Sequence, residues 1–115
     1  MENRRIVVPK DEDARKLLDR NEAVDNQLLT MILSENELLS LWNIGFFDAI
    51  NNIARANIDL SEDDAITDIS ILEDTISSYA FEMKFPNGEL NRIVLEIKKL
   101  FSEAVLRKTG VFFYF

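Results

Sequence analysis

Tyr79-Ala80-Phe81-Glu82-Met83-Lys84-Phe85, Pro86-Asn87-Gly88, the run from Glu89 to Arg107, and Val111-Phe112-Phe113-Tyr114-Phe115 are the stretches whose reading decides the fold. Tyr79, Phe81, Met83 and Phe85 alternate with Ala80, Glu82 and Lys84, the period-two pattern of a strand with one buried face. Pro86-Asn87-Gly88 breaks the chain. Leu90, Ile93, Val94, Ile97, Leu100, Phe101, Ala104 and Val105 then trace one side of a long amphipathic helix. Glu103 stands four residues before Arg107, and Gly110 stands where a C-cap glycine is expected. Val111 to Phe115 lacks polar alternation, as befits a strand covered on both faces. A strand, a long helix and a strand in succession predict a βαβ unit with parallel strands and a right-handed crossover. A hairpin turn over Lys84 to Glu89 is the rival, and the helical period that follows argues against it.

Arg4 to Val8, ended by Pro9, is β-prone, and Asp11 to Asp19 carries Ala14, Leu17 and Leu18 at helical spacing. A second helix is expected from about Ala23 to Leu33, with Val24, Leu28, Met31 and Ile32 on one face. Ser34-Glu35-Asn36-Glu37 matches a capping box, so a helix begins there. Its stripe is Leu38, Trp42, Phe46, Ile50, Ile53 and Ala54, read as core, with Gly45 placed to bend or divide it. Ser61-Glu62-Asp63-Asp64 reads as a further helix start with carboxylates in its first turn, burying Ile66, Ile69, Leu72 and Ile76. The expectation is an α+β fold in one domain, residues 1–115. A helical N-terminal half packs on a small sheet containing a C-terminal βαβ unit, with Arg4 to Val8 as a candidate third strand.

A chain of 115 residues, 47% hydrophobic and with eight Phe and one Trp, can bury a sizeable core, so its acids decorate a folded body. There is no cysteine, which excludes disulfides and thiolate metal sites and fits a reducing compartment. Met1 to Pro9 has no signal-peptide core, and no apolar run approaches the ~18 residues of a membrane span. A cytoplasmic protein without membrane attachment is expected. Histidine is absent too, removing the common proton shuttle and metal ligand. Three scattered glycines, Gly45, Gly88 and Gly110, cannot cradle a phosphate. A glycosidase built on carboxylates alone needs a sugar-sized cleft rarely enclosed by so small a domain. Asp59, Ser61 and Asp63 fall at EF-hand spacing, but Asp64 and Ser70 occupy the diagnostic glycine and glutamate positions. The chain is therefore expected to be no enzyme and to need no cofactor or metal.

Charge is distributed unevenly. Residues 21–83 hold thirteen acids against one base, Arg55, whereas the flanks carry small positive excesses; the three stretches stand at +1, −12 and +3 within a total of −8. Asp59, Glu62, Asp63, Asp64, Asp68, Glu73 and Asp74 are seven acids in sixteen residues with no base among them. Acids at a helix start are expected from the dipole alone. An uncompensated group is less ordinary, because like charges i, i+4 apart cost about 0.2–0.5 kcal/mol per pair. A partner supplying positive charge explains the imbalance, and the same field repels nucleic acid and anionic membrane. Those seven residues are the candidate partner-binding surface. Were Val111 to Phe115 at a sheet edge, it would be a second one.

In size and charge plan, and in the stretch from Glu35 to Leu72, where Glu37-Leu38-Leu39-Ser40-Leu41-Trp42 to Ala54 runs into Asn57-Ile58-Asp59-Leu60-Ser61-Glu62-Asp63-Asp64, the chain resembles the immunity proteins of bacterial toxin systems, including contact-dependent growth inhibition. The resemblance implies binding and neutralisation of a cognate toxin, most simply a basic nuclease domain whose substrate groove the acids occupy. The alternative from the same charge logic is a DNA mimic that blocks a restriction or defence enzyme.

Overall fold

The computed structural model describes residues 4–60 and 62–115. Among them, four strands, β1 (Arg4–Pro9), β2 (Leu28–Leu33), β3 (Asp63–Ile66) and β4 (Val111–Tyr114), form one antiparallel sheet in the order β2-β1-β4-β3. Five α-helices accompany it: α1 (Glu12–Asp19), α2 (Glu35–Asn43), α3 (Phe46–Ala54), α4 (Ile69–Ile76) and α5 (Gly88–Arg107). The class is α+β, as expected.

Several local signals act as read. Ser34 Oγ accepts from the Glu37 N–H at 3.1 Å and the Glu37 carboxylate accepts from the Ser34 N–H at 2.8 Å, which opens α2. Gly45, at φ +83°, divides the apolar stripe into α2 and α3, taking a left-handed backbone that residues with side chains rarely adopt. Along α5, Leu90, Ile93, Val94, Ile97, Phe101 and Ala104 are buried, and Glu103 pairs with Arg107 at 2.9 Å.

Other expectations are corrected. Tyr79 to Phe85 is no strand: a 3₁₀ turn, Tyr79–Phe81, opens it, and the Asn91 side chain holds Phe85 beyond by accepting from its N–H (2.9 Å) and donating to its carbonyl (2.8 Å). Phe81, Met83 and Phe85 enter the helix layer while Tyr79 stays exposed, and Phe81 meets Phe46 and Phe101 edge-on at 5.6 and 5.2 Å. β4 takes β1 and β3 as antiparallel neighbours, so there is no βαβ unit among the described residues. Nor is β4 an edge.

The helix expected over 23–33 is a 3₁₀ turn, Asp25–Gln27, followed by β2. Leu28-Leu29-Thr30-Met31-Ile32-Leu33 is apolar at both parities and so satisfies either period. A six-residue register against β1 decides for the strand. The helix expected from Ser61 starts later: Asp63–Ile66 is strand, and Asp68 caps α4 by accepting from the Ile71 N–H at 3.2 Å. Ser61 itself lies outside the described residues. Gly110 is not a helix cap either, since Lys108 at φ +58° ends α5.

The sheet is sandwiched unequally. Ile6, Val8, Leu33, Val111, Phe113 and Ile66 face the main core shared with α2 to α5. On the other face Val7, Leu28 and Phe112 form a smaller cluster with Leu18 of α1. Beyond it a cross-strand row, Ile32, Arg5, Tyr114 and Asp63, is in register across all four strands.

Candidate functional site

The seven acids lie on a loop, an edge strand and a helix in succession. Asn51 of α3 organises the loop: its amide donates to the Ile58 carbonyl at 2.9 Å, and its oxygen accepts from the Ile58 N–H at 2.8 Å. Ile58 is thereby anchored in the core at 2% exposure, and Asn57 and Asp59 on either side remain exposed. Asp64 completes the loop by accepting from the Asn57 N–H at 2.8 Å.

Three of the seven have backbone partners. Asp59 accepts from the Leu60 N–H at 2.7 Å, Asp64 from Asn57 and from its own neighbour Ala65 at 2.8 Å, and Asp68 caps α4. Glu62, Asp63, Glu73 and Asp74 are exposed, and their side chains make no hydrogen bond among the described residues. The five ion pairs among the described residues use Glu12, Glu35, Glu89, Glu96 and Glu103, all outside the window 59–74. The four flank arginines in those pairs, Arg4, Arg15, Arg92 and Arg107, thus meet other acids.

The group does not converge on one patch. Asp59 and Glu62 border a cleft of about 420 Å³ shared with Trp42, Asp48, Asn51 and Asn57. Asp64 and Asp68 border a neighbouring cleft of about 260 Å³, with Asn57 common to both and Arg55 on its wall. Asp63 turns to the opposite sheet face, beside Tyr114 in the register, because consecutive strand residues alternate. Glu73 and Asp74 sit further along α4 and line neither cleft. The arrangement is an acidic ribbon that rounds one edge of the sheet.

Five residues of the first cleft, Trp42, Asp48, Asn51, Asn57 and Ile58, were not singled out as site residues by the sequence. Trp42 was read as core; it is half-buried, with its ring 4.9 Å from Phe47 and 6.5 Å from Phe115, and it also borders the cleft. Asp48 is exposed on α3, three residues before Asn51, a helical spacing that sets both beside the loop. No group of three or more acidic side chains among the described residues is arranged to hold a metal ion. No helix among them is long and apolar enough to cross a membrane. No protein-family model, no curated protein and no solved structure matches this chain.

Proposed function

We propose that this chain is a cytoplasmic immunity protein, without catalytic activity of its own, that binds and neutralises a basic toxin domain of the nuclease type. The observation that carries the proposal is the ribbon from Asp59 to Asp74. It holds seven carboxylates and no ion pair among the described residues, whereas all five ion pairs there use acids outside it, Glu12, Glu35, Glu89, Glu96 and Glu103. Free carboxylates along an exposed edge can stand where substrate phosphates otherwise sit in a cationic groove. Opposite fields also accelerate encounter, toward ~10⁸–10⁹ M⁻¹s⁻¹ at low salt. An interface of ordinary size covers ~800 Å² of each partner, a modest share of the 6713 Å² this molecule exposes.

Asp64 and Asp68 hold backbone amides, so altering them confounds binding with folding. The clean variant is Glu62→Gln, Asp63→Asn, Glu73→Gln and Asp74→Asn together. Wild type and variant are used to capture partners from the native cell, the captured basic protein is identified by mass, and its association rate with each is measured. The expected result is a toxin domain caught by wild type, with association about tenfold slower for the variant at low salt and an unchanged circular dichroism spectrum. An unchanged rate rules out this surface. Capture of a DNA-binding defence enzyme instead replaces the toxin reading with that of a DNA mimic.

A further inference from the structure

The two edges of the sheet are built differently. β3 is four residues long and opens with Asp63-Asp64, charges that discourage pairing with another strand. β2, at the opposite edge, is six residues long and carries neither a charge nor a proline. Its outward hydrogen-bonding groups follow from the register. The Lys10 N–H donates to the Gln27 carbonyl at 2.9 Å. Antiparallel pairs alternate between bonded and non-bonded, so Val8 with Leu29, Ile6 with Met31 and Arg4 with Leu33 exchange hydrogen bonds, and Val7 with Thr30 and Arg5 with Ile32 do not. The N–H and C=O groups of Thr30 and Ile32 therefore point away from β1. No turn or loop backbone among the described residues reaches them. Thr30 is exposed, and the Ile32 side chain is 61% exposed at the end of the cross-strand row.

We infer that this edge receives an extended segment of a partner protein: a short apolar or β-branched stretch with basic residues at its ends. The backbone groups of Thr30 and Ile32 require a strand as their complement, and the bare Ile32 side chain takes an apolar neighbour. Charge sets the flanks. Glu22 and Asp25 precede β2, and Glu35 and Glu37 follow it. Three bases stand beside β2: Arg5 lies 5.2 Å from the centre of the Tyr114 ring, on the side away from β2, Arg4 binds the Phe115 main-chain oxygen and offsets only Glu35, 3.9 Å away, and Lys10 stands opposite Gln27 just before β2. A second copy of this chain is a poorer occupant. Two-fold pairing of β2 with itself is antiparallel and brings Asp25 of one copy toward Glu35 of the other, on molecules that each carry −8. The inference does not need the acidic ribbon at the other edge, and its test uses different residues.

The probe is a synthetic peptide of alternating valine and threonine with paired lysines at both ends. Its control has glutamates in place of the lysines. Binding is followed by amide hydrogen exchange of the intact protein. The lysine peptide is expected to slow exchange at Thr30 and Ile32 and to bind about tenfold more tightly than the glutamate peptide. Ile32→Pro removes an outward donor without touching the pairing to β1, and Ile32→Lys places a repelling charge on an exposed position. Each is expected to weaken the lysine peptide about tenfold, and Ile32→Lys serves should the proline variant fail to fold. Absence of saturable binding overturns the inference, as does equal affinity for both peptides or protection confined to other amides. A free protein that sediments as a dimer with Thr30 and Ile32 already protected assigns the edge to a second copy instead.

Discussion

At the scale of single residues, the chain relies on side-chain amides to fix irregular backbone. Asn51 satisfies both main-chain groups of Ile58, and Asn91 does the same for Phe85. Such groups, once desolvated, cost about 1–3 kcal/mol when left unpaired. Asn51→Ala is expected to lower stability by about 2 kcal/mol in urea denaturation and to speed amide exchange at Ile58, whereas Asn52→Ala, at an exposed neighbouring position, changes little. Equal effects of the two would show that the clamp contributes nothing. Tyr114 gives a prediction in pH. Burial pushes its phenol above the usual 10.0; the Arg5 charge opposes the shift, and Asp63 and Asp19 add to it. A raised folded pKa favours the neutral form, so its contribution is complete below pH 10 and is lost as pH rises through the folded pKa. Tyr114→Phe should therefore lose stability less steeply than wild type above about pH 10, read from denaturation midpoints across that range. Parallel curves would remove Tyr114 from the account.

At the scale of elements, legibility tracked how local the deciding interaction is. The capping box of α2, the dividing glycine before α3 and the apolar face of α5 depend on neighbours within a few positions, and each was readable. β2 and β3 depend on partners far away in the chain. Leu28 to Leu33 is ambiguous between periods until β1 offers a register, and Glu62-Asp63-Asp64 resembles a helix start until β4 pairs with it. Tyr79 to Phe85 misleads for the opposite reason: Phe81, Met83 and Phe85 meet the core from a 3₁₀ turn and a clamped loop, and Tyr79 stays exposed. Gly110 shows the same limit. Its place after α5 mimics a cap, but what it supplies is close approach: a Cβ there would lie 3.0 Å from Thr67 Cγ2 and 3.1 Å from the Ile66 carbonyl oxygen. The carbonyl belongs to β3 and cannot rotate aside. Gly110→Ala is expected to cost about 1–3 kcal/mol, with early exchange at the β3 amides. A loss of a few tenths, measured by denaturant, would mean that the edge strand shifts freely.

At the scale of the molecule, the acidic window was visible in the sequence because charge needs no fold to be counted. What stayed hidden was the division of labour within it. Asp64 and Asp68 serve the backbone, Asp63 lies across the sheet, and Trp42 and Asp48 join the ribbon from helices distant in sequence. The consequence of the unpaired remainder is collective. In about 0.01 M salt the screening length is ~30 Å, close to the 39 × 34 × 22 Å extent of the molecule, so the carboxylates of residues 21–83 repel one another across the whole fold. At about 0.15 M the length is ~8 Å and only near neighbours interact. Raising sodium chloride over that range should therefore raise the thermal midpoint by a few degrees, since the five ion pairs it weakens are exposed and contribute little. The variant Glu62→Gln, Asp63→Asn, Glu73→Gln and Asp74→Asn removes four negative charges, which takes the net charge from −8 to −4, and its midpoint should start higher and rise less. If the two midpoints climb together, the four free carboxylates do not strain the fold and their lack of partners carries no energetic cost. If the wild-type midpoint falls with salt, the paired charges outweigh the unpaired ones.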